Sequence, residues 1–257
     1  MRHIPRKRFG QNFLQSQHVI DDILREFNPL KTDRVVEIGP GLGAITGPLL
    51  EILDSLIAIE IDTDLQALLV NKYSSYSNFK LVNGDALKID YSQFGDNLRI
   101  IGNLPYNIST PLIFCLLGYY KHIEDMHFML QKEVVERMVA LPSTPAYGRL
   151  SVMLQYRLQM DYLITVPPEA FEPAPKVESA FVRCVPHATL PFIAKDETLF
   201  AKIVLAAFGQ RRKTLRNTLK GLLEDDGFTT LNINSQLRAE NLSVADFVAI
   251  ANYLSIR

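Results

Sequence analysis

The sequence predicts an α/β fold, a mostly parallel sheet covered by helices on both faces, followed by a small all-helical domain. From Arg34 to about Gln131, short apolar runs alternate with helix-like stretches, the pattern of parallel strands joined by helical crossovers. Beyond Pro186 no strand-like run survives and apolar residues fall at helical spacing. The domains are therefore expected at 1–186 and 187–257, a division that the length of 257 residues accommodates.

Arg34–Ile38 reads as a first buried strand, followed by a glycine-rich turn and a helix through Leu53. Leu56–Glu60 is a second strand, with a helix over Thr63–Tyr73 after it. Phe79–Val82, Leu98–Gly102 and Met126–Leu130 continue the series, with Pro111–Leu117 helical between the last two. Tyr162–Val166 and Ala180–Val185 flank a proline-rich stretch, Pro167–Pro175, and are expected to close the sheet as a hairpin. Helices are expected over Leu199–Phe208, Leu215–Leu223 and Val244–Leu254, punctuated by Gly209, Gly221 and Gly227.

Composition excludes several classes. With 47% hydrophobic and 21% charged residues the chain is globular rather than disordered. Cys115 and Cys184 alone provide neither a disulfide framework nor paired zinc ligands, and the five histidines show no ligand spacing, so no metal is expected. No apolar run approaches the ~18–20 residues of a membrane span, and the N-terminus shows no signal-peptide pattern. A cytoplasmic, monomeric protein without a membrane partner is expected.

The formal net charge of -1 hides segregation. Residues 1–20 carry Arg2, Arg6, Lys7 and Arg8 and no acid; residues 198–223 carry Lys202, Arg211, Arg212, Lys213, Arg216 and Lys220 and again no acid. These stretches hold ten of the 27 Lys and Arg and none of the 28 Asp and Glu, leaving an acidic body with two basic arms. Such arms are candidate contacts to nucleic-acid phosphates. Arg211 to Arg216 would span about one and a half helical turns, so that some share a face.

Glu37-Ile38-Gly39-Pro40-Gly41-Leu42-Gly43 falls where the first strand turns into the first helix. Glycines there let the backbone approach a ligand and aim helix amides at it. The Gly-x-Gly-x-Gly spacing differs from that of dinucleotide sites and is weak evidence alone. Glu60 ends the second strand about 20 residues on, where a carboxylate accepts ribose hydroxyls. Asp85 follows the third strand, where a carboxylate could accept from an adenine amine. In doubly wound sheets ligands bind at these strand ends.

The fourth strand runs into Asn103-Leu104-Pro105-Tyr106. That pattern suits chemistry on an amine attached to a planar ring, whose lone pair is delocalised and whose protons no ordinary side-chain base removes. The Asn103 side-chain oxygen and the Leu104 carbonyl, its direction held by Pro105, could accept both amine hydrogens and turn the lone pair toward an electrophilic methyl. Tyr106 would stack on the base, a contact worth about 1–3 kcal/mol. The alternative for these residues is a tight turn with Asn103 as a helix cap and Tyr106 in the core.

Taken with Lys7–Leu14, Gly84–Leu87, Phe171–Ser179 and Arg238–Ser243, these motifs make the chain resemble the ribosomal RNA adenine dimethyltransferase family, in its bacterial small-subunit branch, over nearly its whole length. The resemblance implies a Rossmann-like class I methyltransferase domain. It implies S-adenosyl-L-methionine as methyl donor and, as acceptors, two adjacent adenosines in the 3'-terminal hairpin loop of 16S rRNA, in the 30S subunit or its precursor. Asn12, Leu14, Gly39, Glu60, Asp85 and Asn103 would line the cofactor site together with Gly41 of the turn, and Phe171 would stack on the flipped base opposite Tyr106. The helical domain and the arms, Arg6, Lys7 and Arg8 at one end and Arg211, Arg212, Lys213 and Arg216 at the other, would bind RNA phosphates.

An adenosine must leave its stack to reach such a pocket, at a cost of a few kcal/mol that an aromatic clamp offsets. Dimethylation also requires an amine site roomy enough for the first methyl. Other readings of the same motifs are a large-subunit rRNA dimethyltransferase, a DNA adenine methyltransferase, and a ribosome-assembly checkpoint factor for which binding matters more than methylation.

Overall fold

The computed structural model describes residues 11–256. A two-residue strand β1 (Phe13–Leu14) leads into α1 (Gln17–Phe27), whose buried Val19, Ile20, Ile23 and Phe27 form one apolar stripe. Asn28, at φ 46, ends that helix in the left-handed conformation. Then follow β2 (Arg34–Ile38), α2 (Thr46–Ile52), β3 (Leu56–Glu60), α3 (Thr63–Lys72), β4 (Phe79–Asn83), β5 (Leu98–Asn103), α4 (Ser109–Leu117) and β6 (Ile123–Gln131). Val35, Val36, Leu56, Ile59, Leu98, Ile100 and Ile101 are nearly inaccessible, as expected of strands covered on both faces.

The chain continues through α5 (Lys132–Val139), α6 (Arg149–Gln155), β7 (Leu158–Val166), β8 (Phe171–Glu172) and β9 (Ser179–Pro186). The seven-stranded sheet has the order β4-β3-β2-β5-β6-β9-β7. The pairs from β4 to β6 are parallel and β9 runs antiparallel to β6, confirming a mostly parallel α/β sheet. Successive strands move outward from β2 to β4, after which β5 returns to the other side of β2. The order therefore reverses between β2 and β5, where ligands of doubly wound sheets bind beyond the carboxyl ends. Separately, β8 pairs antiparallel with β1, Leu14 opposite Phe171.

The remaining helices are α7 (Glu197–Phe208), α8 (Leu215–Thr218), α9 (Asp225–Thr230) and α10 (Val244–Leu254). The helix expected over Leu215–Leu223 lasts a single turn: it ends at Thr218, Leu219 leaves helical geometry at φ -102 and ψ 10, and Gly221 at φ +78 lies in the turn that follows. Ser243 caps α10 reciprocally with Asp246, whose amide donates to the Ser243 hydroxyl.

The chain forms two compact units, residues 1–135 with 161–186 and residues 136–160 with 187–257. Residues 136–160, which the sequence assigned to the first domain, thus group with the helical one. The physical reason is packing: Tyr147, Val152 and Tyr156 belong to one apolar core with Phe200, Ile203, Leu215, Phe228 and Phe247. The first unit has its own core, in which Ile20, Ile23 and Phe27 of α1 meet Leu49, Ile101, Phe171 and Phe181.

Candidate active site

A cavity of about 240 Å³ opens where the carboxyl ends of β2, β3, β4 and β5 meet. It gathers Asn12, Leu14, Gly39, Gly41, Glu60, Asp85, Asn103, Leu104, Pro105 and Tyr106, so all but one of the residues expected around cofactor and base converge in the first unit.

The glycine turn is built by its backbone. Gly39, Gly41 and Gly43 all have positive φ, and the Gly39 amide donates to the Ile59 carbonyl at 2.9 Å, fixing the turn to β3. A Cβ on Gly41 would lie 3.0 Å from the Phe13 ring, so β1 closes tightly on that glycine. A Cβ on Gly39 would meet only the Asn103 carbonyl, at 3.9 Å, leaving the inner side of the turn open to a ligand.

Glu60 ends β3 and is 6% exposed. Its Oε1 accepts from the amides of Ile61 and Asp62, each at 2.9 Å. Those bonds hold one carboxylate oxygen, and the Gly41 amide also donates to the carboxylate. Burial raises its pKa, and these amides work against the shift. Asp85, half-buried, accepts from the Leu87 amide at 3.0 Å through Oδ1.

At the end of β5, Asn103 donates from Nδ2 to the Asn12 carbonyl at 2.9 Å. With Nδ2 committed, the amide presents Oδ1 as an acceptor. Leu104 is anchored by donation of its amide to the Met129 carbonyl at 3.2 Å. Tyr106 is half-buried; its hydroxyl lies 2.8 Å from the Ser179 hydroxyl, and its own carbonyl accepts from Ser109 Oγ at 3.1 Å. Burial raises the phenol pKa, keeping it a neutral hydroxyl. Of the turn-and-cap alternative, the turn is present, but Asn103 is tied to Asn12 and does not cap α4, which starts at Ser109, and Tyr106 is only half-buried at the cavity wall.

Phe171 departs from expectation. It is 4% exposed, belongs to the apolar core of the first unit and is absent from the lining of the cavity. Pairing of β8 with β1 and the bonds from the Gln15 and Ser16 amides to the Ala170 carbonyl pull this segment onto the core instead of presenting its ring on a loop.

For the basic arms, one expectation is corrected, the shared helical face of Arg211 to Arg216. Arg6, Lys7 and Arg8 lie outside the described residues. Arg211, Arg212 and Lys213 do not share a helix: α7 stops at Phe208 and α8 starts at Leu215, leaving them in the connection, with only Arg216 helical. Arg211 donates to the Pro145 and Tyr147 carbonyls and pairs with Glu240, and Arg216 pairs with Asp225. Among the described residues no ion pair involves Arg212 or Lys213, which are exposed.

Three contributors carried no role in the sequence reading. Glu37, 2% exposed, lines the cavity and accepts from Thr46 Oγ1 at 2.7 Å. Burial pushes its pKa up to about 7, the Thr46 bond opposing and the nearby Glu60 adding to the rise. A carboxylate inside an otherwise apolar strand was its signal. Gln11 donates to Asp62 Oδ2 at 3.0 Å, and Ser179 bonds Tyr106; both lie within motifs of the resemblance, but their partners had no local signal, since each acts across a long loop closure. Among the described residues no cluster of metal-ligating side chains occurs, and no helix is long and apolar enough to cross a membrane.

The profile of the family described as "Ribosomal RNA adenine dimethylase" matches residues 2–255. The chain is 61% identical over 255 residues to Ribosomal RNA small subunit methyltransferase A of Methylobacillus flagellatus, covering 99% of this chain and 100% of that protein. It is 58% identical to the protein of the same name from Nitrosomonas europaea, over 97% of this chain and 96% of the other. Among solved structures, a dimethyladenosine transferase from Plasmodium falciparum aligns with a TM-score of 0.77 at 26% identity, over 93% of this chain and 95% of that one. The 23S rRNA methyltransferase ErmE shares the fold, with a TM-score of 0.76 at 21% identity over 95% and 100% of the two chains.

Proposed function

Because the chain belongs to the ribosomal RNA adenine dimethylase family, we propose that its cavity methylates the exocyclic amines of adenosines in 16S rRNA, using S-adenosyl-L-methionine as donor. The enzyme is an rRNA adenine dimethyltransferase; its acceptors are two adjacent adenosines of the 3'-terminal hairpin loop, met in the 30S subunit or its precursor in the cytoplasm. Relatives more than half identical over the full length carry the small-subunit name, which favours this target over the large subunit. The observation that carries the chemistry is the Asn103 amide, oriented by the Asn12 carbonyl inside a cavity that also holds two strand-end carboxylates.

The donor fits the residues present. The open inner side of the turn at Gly39 admits a ligand against the backbone, Glu60 offers a carboxylate to a ribose, and Asp85 offers one to an adenine amine. When bound, S-adenosyl-L-methionine supplies an electrophilic methyl group on a sulfonium.

The chain's own residues prepare the nucleophile. Asn103 Oδ1 and the Leu104 carbonyl accept the two amine hydrogens, which favours a pyramidal nitrogen whose localised lone pair points at the methyl to be transferred. Tyr106 stacks beneath the base and supplies part of the free energy of extruding it from the RNA. No side chain has to remove a proton before attack, so the rate enhancement comes from position and electrostatics. Once methylated, the nitrogen is cationic and releases one proton to water, so that one amine hydrogen remains, and a single acceptor of the pair holds the monomethylated base for the second transfer.

Transfer of labelled methyl groups from S-adenosyl-L-methionine to small subunits lacking the modification tests the assignment. Dimethyladenosine in digested 16S rRNA is the expected product. Labelling of large subunits alone would overturn the target.

A further inference from the structure

The last residue of the Phe171–Ser179 motif has no role in the chemistry above, yet it is 0% exposed and its hydroxyl reaches the Tyr106 hydroxyl at 2.8 Å. Ser179 starts β9 opposite Gln131, the last residue of β6. Its neighbours clamp that start: the Lys132 amide donates to the Glu178 carbonyl at 3.0 Å, and the Lys132 ammonium pairs with the Glu178 carboxylate at 2.8 Å. Tyr106 itself follows β5 in a turn rather than in a strand or helix. One end of the residue is tied locally through Ser109 Oγ, and the far end of the ring is tied to the sheet through Ser179.

We infer that Ser179 is a positioning residue for methyl transfer, fixing the plane of the Tyr106 ring through its hydroxyl so that the stacked adenine presents its amine at the Asn103 and Leu104 acceptors. The inference rests on the methyltransferase reading of the cavity. A free phenol would let the ring swing about its side-chain torsions and carry the stacked base with it. Misplacement by about 1 Å is enough to cost roughly 10²-fold in rate. A tyrosine with a buried hydroxyl partner thus does what a phenylalanine could not: it stacks while its tilt is set from outside the turn.

A double-mutant cycle on Ser179→Ala and Tyr106→Phe tests this, with single-turnover methyl transfer to unmodified small subunits as the readout and cofactor affinity and thermal unfolding measured alongside. Ser179→Ala should lower the transfer rate about 5- to 10-fold, the loss of one net hydrogen bond, with cofactor affinity unchanged. Tyr106→Phe should lower it similarly, and Ser179→Ala should add nothing in the Tyr106→Phe background, because both remove the same bond. Additive losses, or a Ser179→Ala enzyme whose melting temperature falls while its transfer rate stays at wild type, would overturn the positioning role and leave the methyltransferase reading standing. A wild-type enzyme that transfers no methyl to rRNA would overturn that reading and this inference with it.

Discussion

Asn103 Nδ2 donates to the main-chain carbonyl of Asn12 at 2.9 Å across 91 residues of chain. The amide of the proposed catalytic tetrapeptide therefore takes its orientation from the N-terminal segment, which is itself fastened by β1–β8 pairing and by the bond from Gln11 to Asp62. The elements proposed to hold cofactor and base share one hydrogen-bonded frame, so disturbing either should be felt in the transfer step.

The glycine turn should tolerate no side chain at Gly41. An alanine there would hold a positive φ of 57° and bring its Cβ to 3.0 Å from the Phe13 ring. Left-handed backbone alone costs a non-glycine residue about 1–2 kcal/mol. Gly41→Ala is expected to weaken S-adenosyl-L-methionine binding about tenfold in a calorimetric titration.

Two buried groups should oppose each other in the pH dependence of stability. His127 is 1% exposed, and its Nδ1 lies 3.7 Å from Asp125 Oδ1 without a hydrogen-bond partner. Burial lowers its pKa to about 4, with Arg99 and Arg183 adding to the fall against Asp125. The unfolded chain takes up this proton first, so the contribution is complete above pH 6.5 and is lost as pH falls toward 4. Glu37 is the reverse: raised to about 7, it favours the folded state below pH 4.5, and that advantage is lost as pH rises toward 7. Each amounts to no more than about 3 kcal/mol. Between pH 4.5 and 6.5 the two largely cancel. In denaturant titrations, Glu37→Gln should steepen the loss of stability on acidification across that window, and His127→Leu should shift the slope the other way.

The basic connection should separate into tethers and RNA contacts. Arg212→Ala with Lys213→Ala is expected to weaken binding to small-subunit rRNA and to lower the slope of log affinity against log salt by about 1 per lost phosphate contact, with melting unchanged. Arg211→Ala should lower the melting temperature as well, since it frees the Pro145 and Tyr147 carbonyls and Glu240.

Most of the sheet was legible because its strands are largely β-branched and aliphatic runs, and the motifs at their carboxyl ends marked the cavity. The regularity of α1 was legible too, in the spacing of Val19, Ile20, Ile23 and Phe27, though the sequence reading placed no element there. Other features depend on contacts that no local pattern carries. Tyr147 and Val152 stand well before Pro186 and still pack with Phe200 and Phe247, and the Arg211–Lys213 run looks helical only until Gly209 and the cap at Thr214 are placed. Phe171 is buried by pairing between two strands of two residues each, too short for periodicity to reveal. Its core position predicts that Phe171→Ala costs about 3–5 kcal/mol in urea denaturation, and that Phe171→Leu restores much of the loss.

The claim on which the account turns is that Asn103 Oδ1 orients an adenine amine for methyl transfer. Single-turnover transfer to unmodified small subunits by Asn103→Ala, set beside its affinity for S-adenosyl-L-methionine, measures that directly. The account predicts a rate at least about 10²-fold below wild type, with cofactor affinity changed only a few-fold. Transfer at the wild-type rate, or a loss fully explained by weaker cofactor binding, would contradict it.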